Sequence, residues 1–213
     1  MACPFEVLPD GPEAKPAATV LPGLVKALDM IGYDAGELNP DEAAFLQKAG
    51  APLPDHFATL GPTPQTRLLH KDGRTFGLVF FPPSPDLKKP APEDLGDAVA
   101  KAAASLRGKA ACIIGLSGWG MIDEEAYLKA HPGSLDILLG SGPNAGTPGR
   151  ATADGKTLWS RAYIKGKTVN RLDLFALPGA PGFTWKPDAT FKATVTSLNE
   201  TYPADPAVQQ LFQ

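Results

Sequence analysis

Apolar positions along this chain change period several times, and each change marks an element. Over 21–31, Leu24, Val25, Leu28 and Ile31 recur at helical spacing, and Gly32 stands where a left-handed C-cap closes a helix. Tyr33-Asp34-Ala35 reads as a short strand. Asn39-Pro40-Asp41-Glu42 offers a capping side chain, proline at the first helical position and two first-turn acids. A helix is therefore predicted from 40 to about 48, stopping at Gly50. Residues 68–70 and 75–81 flank Lys71-Asp72-Gly73-Arg74, a hairpin signal. The proline-rich stretch 82–92 predicts a loop, and the alanine-rich, proline-free stretch 93–107 an amphipathic helix. Residues 110–116 form the longest apolar run, of buried-strand length. A glycine-rich turn, a helix over 123–130 and a second buried strand over 135–139 follow. Short strands come next: 149–153 and 157–162 around Asp154-Gly155-Lys156, then 169–176 and 190–198, before a closing helix over 205–212. Strand–helix–strand first and antiparallel strands later predict a layered α/β sandwich, one domain over 1–213 with an irregular proline-rich lead over 1–22.

Composition narrows the function classes. A chain of 213 residues can bury a sizeable core, and 43% apolar with 20% charged residues describes a folded globule. Gly 22 and Pro 23 make it rich in loops. Lys+Arg 20 against Asp+Glu 23 leaves a formal charge of −3. That balance argues against a nucleic-acid partner or an anionic membrane surface, and no apolar run is long enough to span a bilayer. The first residues show no signal-peptide pattern, which points to the cytosol or to a targeting segment outside this chain. Ala2-Cys3 would suit the end of a lipoprotein signal, but no apolar stretch precedes it.

The candidate chemistry is sparse. Cys3 and Cys112 fall in unlike contexts, so a disulfide between them is the weaker reading, and no Cys-x-x-Cys spacing exists. His56, His70 and His131 follow no metal-ligand spacing. Gly155-Lys156-Thr157 and Gly166-Lys167-Thr168 have Arg150 and Arg161 where a phosphate loop needs glycine, and both precede strands, so they read as hairpin turns. Gly115-Leu116-Ser117-Gly118-Trp119 has tryptophan where a nucleophile elbow has glycine, which leaves a tight strand-to-helix turn at a ligand-prone strand end. The loop 140–146 has the glycine content of an anion nest, but no cation is near it before Arg150, so it reads as structural.

Taken in order, several segments resemble one family. Ile31-Gly32-Tyr33-Asp34-Ala35 looks like a helix end and Gly-Tyr-Asp-Ala strand, and Cys112 to Gly120 like a strand and turn ending in an "ALSHLG" motif. Asp136 to Asn144 looks like a "DVILGGHSH" strand and loop, residues 166–174 resemble "GKYLGRLDL", and Asp205-Pro206-Ala207-Val208 is similar to a closing helix. The family is the metallophosphoesterase domain of the secreted 5′-nucleotidases, in the calcineurin-like superfamily. The resemblance implies an α/β/β/α sandwich in which Asp, Asn and several His clamp two divalent metals and generate a hydroxide that attacks phosphorus.

This chain departs from that pattern at the ligands. Gly118 stands at the "ALSHLG" histidine, Gly142 and Asn144 stand at the two histidines of "GGHSH", and Asn39-Pro40-Asp41-Glu42 occupies the Asn-His-Glu block. The family's opening Asp-x-His strand has no counterpart, so the sandwich is expected to lack its first strand. Losing this many ligands removes a metal site. The resemblance thus implies a non-catalytic descendant with no catalytic residue and no cofactor, acting as a binding or interaction module for a small molecule or a protein. Its relined cleft would comprise Asn39, Asp41, Glu42, Ser117, Trp119, Ser141 and Asn144. Trp119 would stack on an aromatic ligand or plug the vacated site. Asp41, Glu42 and Asn144 would at most hold a hard divalent cation weakly. Two other readings stand beside it: an active metal-dependent phosphoesterase with ligands outside these motifs, and a structural module of an envelope assembly. The family's exported character implies a periplasmic or envelope location, with the cytoplasm left open.

Overall fold

In a computed structural model of the chain, residues 20–84, 90–163 and 166–212 are described. In chain order the helices are α1 (Val20–Ile31), α2 (Pro40–Lys48), α3 (Glu93–Ala104), α4 (Met121–Ala130) and α5 (Pro206–Gln209). The strands are β1 (Gly36–Leu38), β2 (Phe57–Thr59), β3 (Gln65–Lys71), β4 (Arg74–Phe80), β5 (Cys112–Ser117), β6 (Ile137–Gly140), β7 (Thr147–Ala151), β8 (Leu158–Arg161), β9 (Thr168–Leu174) and β10 (Phe191–Ser197). A 3-10 turn, Gln210–Phe212, closes the chain.

Six strands build the main sheet in the order β3-β4-β5-β6-β8-β7. Its centre, β4-β5-β6-β8, is parallel, and the edges β3 and β7 are antiparallel to their neighbours. A parallel centre must be covered on both faces. Alternate residues of β5 feed opposite cores: Ile113 packs with Val99, Ala103, Tyr127 and Leu128 of α3 and α4, while Cys112 packs with Ile137, Leu158, Trp185 and Phe191. The second core is closed by the antiparallel pair β9–β10, which lies over β7. At Gly149 of β7 a side chain would overlap Leu172 of β9, so glycine permits that close approach. Helices on one face and a second strand layer on the other give a mixed α/β sandwich, the class expected from the sequence.

Local chemistry explains most boundaries. Asp72 and Gly73, at φ 50° and 71°, form the two-residue turn that pairs Lys71 with Arg74 in the β3–β4 hairpin. Helix α2 follows Asn39, whose N–H donates to the Glu42 carboxylate at 2.7 Å, with Pro40 at the first helical position. Helix α3 ends earlier than 107, because Arg107 leaves the helical path to donate to both carboxylate oxygens of Asp136 at 2.8 Å. Asp136 also accepts from the Ile113 N–H at 2.6 Å, tying the α3 end to β5 and β6.

Two expectations need correction. Residues 33–35 are not a strand; the strand is β1 (Gly36–Leu38), and it pairs in parallel with the three-residue β2. The Phe57 ring occupies the space a side chain on Gly36 would need, so tertiary contact and not local pattern sets this register. Helix α1 begins at Val20, inside the lead expected to be irregular over 1–22, with Pro22 in its first turn. Residues 1–19 of that lead, and 85–89 of the loop expected over 82–92, lie outside the described residues.

Burial of Cys112 in β5 pushes its thiol up to about 12. In a Cys3→Ser background Cys112 is expected to resist a disulfide-exchange reagent in native buffer and to react stoichiometrically in denaturant. Rapid labelling of the native protein would contradict the packing of β5.

Candidate functional site

The carboxyl ends of β5, β6 and β8 bring Ser117, Gly140 and Arg161 into register. In open α/β sheets this edge is where ligands bind. Here a side-chain pair fills it. Arg161 Nη1 lies 2.6 Å from Glu124 Oε2, and both side chains are fully buried. Glu124 projects from the first turn of α4 and also accepts from the Trp159 indole N–H at 2.8 Å. Burial pushes the Glu124 carboxyl upward, while Arg161, Trp159 and the Ser117 hydroxyl oppose it. A side chain at Gly140 would occupy the space of the Glu124 carboxylate, so β6 must end in glycine.

The loop after β6 is organised by the same guanidinium. Arg161 Nη2 donates to the carbonyls of Ser141, Gly142 and Pro143 at 2.8, 3.2 and 3.0 Å, and Nε donates to Ala145 O at 3.3 Å. Four carbonyls face a cation, the reverse of an anion nest, whose amides point inward. Neither Glu124 nor Arg161 was singled out from the sequence. Arg161 ends a short strand beside a hairpin turn, and Glu124 sits in the ordinary-looking acidic run Asp123-Glu124-Glu125. One signal was available: Glu124 lies three and four residues before buried Tyr127 and Leu128, on the same helical face.

Above this pair, two backbone turns meet. Gly142, at φ 78°, lies against the Gly118 carbonyl so closely that a side chain at 142 would overlap it. Ser117 O accepts from the Ser141 N–H at 2.8 Å and from its hydroxyl at 3.1 Å. Trp119 is buried, with its indole N–H donating to Pro82 O at 2.6 Å and its rings edge-on to Phe81 and Tyr127. Asn144 is exposed on the loop at φ 77°.

Beside the sheet edge, between β1, the start of α2 and the Pro82–Ser84 segment, lies a cleft of about 340 Å³. Asn39, Asp41 and Trp119 line it together, with Leu60, Pro82 and Gly118. Of the other expected residues, Glu42 is folded back onto the Asn39 N–H, and Ser117 and Ser141 are bonded to each other below the turn. Glu37, which the sequence did not suggest, belongs to the wall of this cleft. It is 1% exposed, and neither carboxyl oxygen has a hydrogen-bond partner among the described residues. Burial first, and then the nearby Glu42 and Glu124 carboxyls, push its pKa up to about 8. Among the described residues no group of three or more His, Cys, Asp or Glu is placed to hold a metal ion.

No family model matches this chain, and no curated protein matches it. Among solved structures, it is similar to the NAD nucleotidase NadN of Haemophilus influenzae, with a TM-score of 0.54, 11% identity, 92% of this chain covered and 48% of that one. The chain thus spans about half the length of that protein. A hypothetical protein from Thermus thermophilus matches with a TM-score of 0.41 and 14% identity over 76% of this chain and 71% of that one. The likeness to the nucleotidase shows a distant relationship of fold.

Removing one partner of a buried ion pair strands the other charge. Arg161→Met is therefore expected to cost about 3–5 kcal/mol by urea denaturation, with Glu124→Met/Arg161→Met recovering part of that loss. Glu37 supplies a pH signature. A carboxyl that keeps its proton to about pH 8 when folded, against 4.5 when exposed, contributes its full stability below pH 4.5 and loses it as pH rises toward 8. Unfolding free energies at pH 5, 7 and 9 should accordingly fall more steeply for the wild type than for Glu37→Gln. Parallel profiles would show that Glu37 is not desolvated.

Proposed function

We propose that this chain is a non-catalytic binding module on a metallophosphoesterase-like fold. The observation that carries the reading is the Arg161 guanidinium held inside the carbonyl ring of Ser141, Gly142, Pro143 and Ala145. In the family that the sequence resembles, the loop after this strand brings imidazoles to a pair of divalent metals. The residues present here do not fit such a centre. Gly142 is packed flush on Gly118, Asn144 is exposed, and a permanent positive charge sits beneath the loop. That guanidinium is paired with Glu124, and its remaining N–H groups occupy the loop carbonyls, the oxygens that a cation bound there would need.

The remaining groups do not assemble another hydrolytic site. Ser117 Oγ accepts from the Trp119 N–H at 3.1 Å, and none of the three histidines borders the cleft. His56 lies beside Tyr33 and Asp34, His70 bonds Thr75 on the β3–β4 hairpin, and His131 stacks near Tyr127 at the end of α4. A serine with no base beside it is not activated as a nucleophile, which supports the binding reading. The cleft walled by Asn39, Asp41 and Trp119, beside the sheet edge, is where this reading places a small-molecule ligand. No described helix is long and apolar enough to cross a membrane. A periplasmic or envelope location accords with the family resemblance and is part of the same proposal.

Elemental analysis after incubation with Mn²⁺ and Zn²⁺, run alongside an aryl-phosphate assay, tests this reading. The expected outcome is no stoichiometric metal and no hydrolysis above the buffer blank. Stoichiometric metal with phosphatase turnover would overturn it and establish a metal-dependent phosphoesterase with ligands outside the recognised motifs.

A further inference from the structure

We propose that the cleft at the start of α2 is a receptor for an organic cation, a primary ammonium on a compact apolar body, with the buried Glu37 carboxylate as its counter-ion. This inference deepens the binding-module reading and rests on it. Three observations converge. The first is an orphan: Glu37, on β1, is buried in the wall of the cleft, and both of its oxygens lack a donor among the described residues. A buried polar group without a partner is costly to keep, and a donor brought by a ligand removes that cost. The second is charge. The cleft's described lining contains the acids Glu37 and Asp41 and no Lys, Arg or His. The third is shape. Leu60, Pro82, Pro83 and Trp119 supply apolar walls, and about 340 Å³ suits a fragment with one small ring or a short chain.

Other ligands suit the cleft less well. An anion would meet two carboxyl groups, and the positive end of α2 is already offset by Asp41 and Glu42 in its first turn. A neutral apolar molecule would leave Glu37 unpartnered. A divalent ion needs more oxygen ligands than Glu37, Asp41 and Asn39 Oδ1 offer, and no group of three or more His, Cys, Asp or Glu gathers there among the described residues. An ammonium provides three donors on a point charge, and its bond to a carboxylate that water does not reach is strong.

The test uses the full-length protein. Because Glu37 must give up its proton to pair with an ammonium, benzylamine, tyramine and phenethylamine are titrated at pH 7 and at pH 8.5, with tighter binding expected at the higher pH, and followed by amide chemical-shift perturbation, beside the uncharged analogue benzyl alcohol and beside Mn²⁺. The expected result is saturable binding of at least one amine, with shifts at Asn39, Leu60 and Gly118, and none by benzyl alcohol. Glu37→Gln should weaken that binding about tenfold or more, the loss of one charge-assisted contact. Asp41→Asn, at an exposed position, should weaken it by a smaller factor. The inference falls if no amine binds, if benzyl alcohol binds as well as benzylamine, or if neither variant alters affinity. Those results leave the non-catalytic reading standing. Mn²⁺ binding abolished by Glu37→Gln would overturn the inference, and stoichiometric Mn²⁺ with phosphatase turnover would overturn the broader reading as well.

Discussion

The Glu124–Arg161 pair sits where the carboxyl ends of three strands, the first turn of a helix and the loop after β6 all converge. Taking two charges out of water is expensive, and it succeeds only when the pair is close and further hydrogen bonds hold both groups. The surroundings meet most of that demand. The guanidinium is ringed by carbonyls of residues 141, 142, 143 and 145, and one carboxylate oxygen accepts from the Trp159 indole, while Oε1 has no hydrogen-bond partner among the described residues. Glycine at 140 and 142 follows from the same packing, the first because the carboxylate fills its side-chain space, the second because the Gly118 carbonyl does. Changes to any of these residues therefore couple to the others.

That arrangement fills the sheet edge from within. The sheet edge where an α/β fold would present a ligand is occupied by the protein's own cation, and the open space shifts sideways to the cleft beside β1. Trp119 belongs to both regions. Its ring packs into the Phe81–Tyr127 core, and its edge forms part of the cleft wall. The other two tryptophans are likewise anchored: Trp159 donates to Glu124 and Trp185 donates to Asp136 O at 2.8 Å. Each indole secures a different junction between layers, which makes the shape of the cleft a consequence of core packing.

Local signals in the sequence proved dependable where backbone chemistry decides the outcome by itself. The Asp72-Gly73 turn and the Asn39-Pro40 start of α2 both stand where residue type placed them. The buried strands around Ile113 and Leu138 were equally legible, because a strand covered on both faces reads as an unbroken apolar run. The misses share another cause. Strands β1 and β2 are three residues each and carry no periodicity, and their pairing depends on Phe57 lying over Gly36. The early end of α3 depends on Asp136, which is 29 residues away from Arg107 along the chain.

The sequence by itself determined the α/β class and the order of the main-sheet strands and their helices, since each depends on composition and short-range spacing. It also carried a resemblance whose ligand positions are filled by glycine and asparagine. Only the tertiary structure decided which polar residues matter. Glu124, Arg161 and Glu37 look like ordinary surface charges in one dimension, and their importance comes from losing water and acquiring, or failing to acquire, partners. Desolvation is a property of what surrounds a group in space, and no local pattern of residues encodes it.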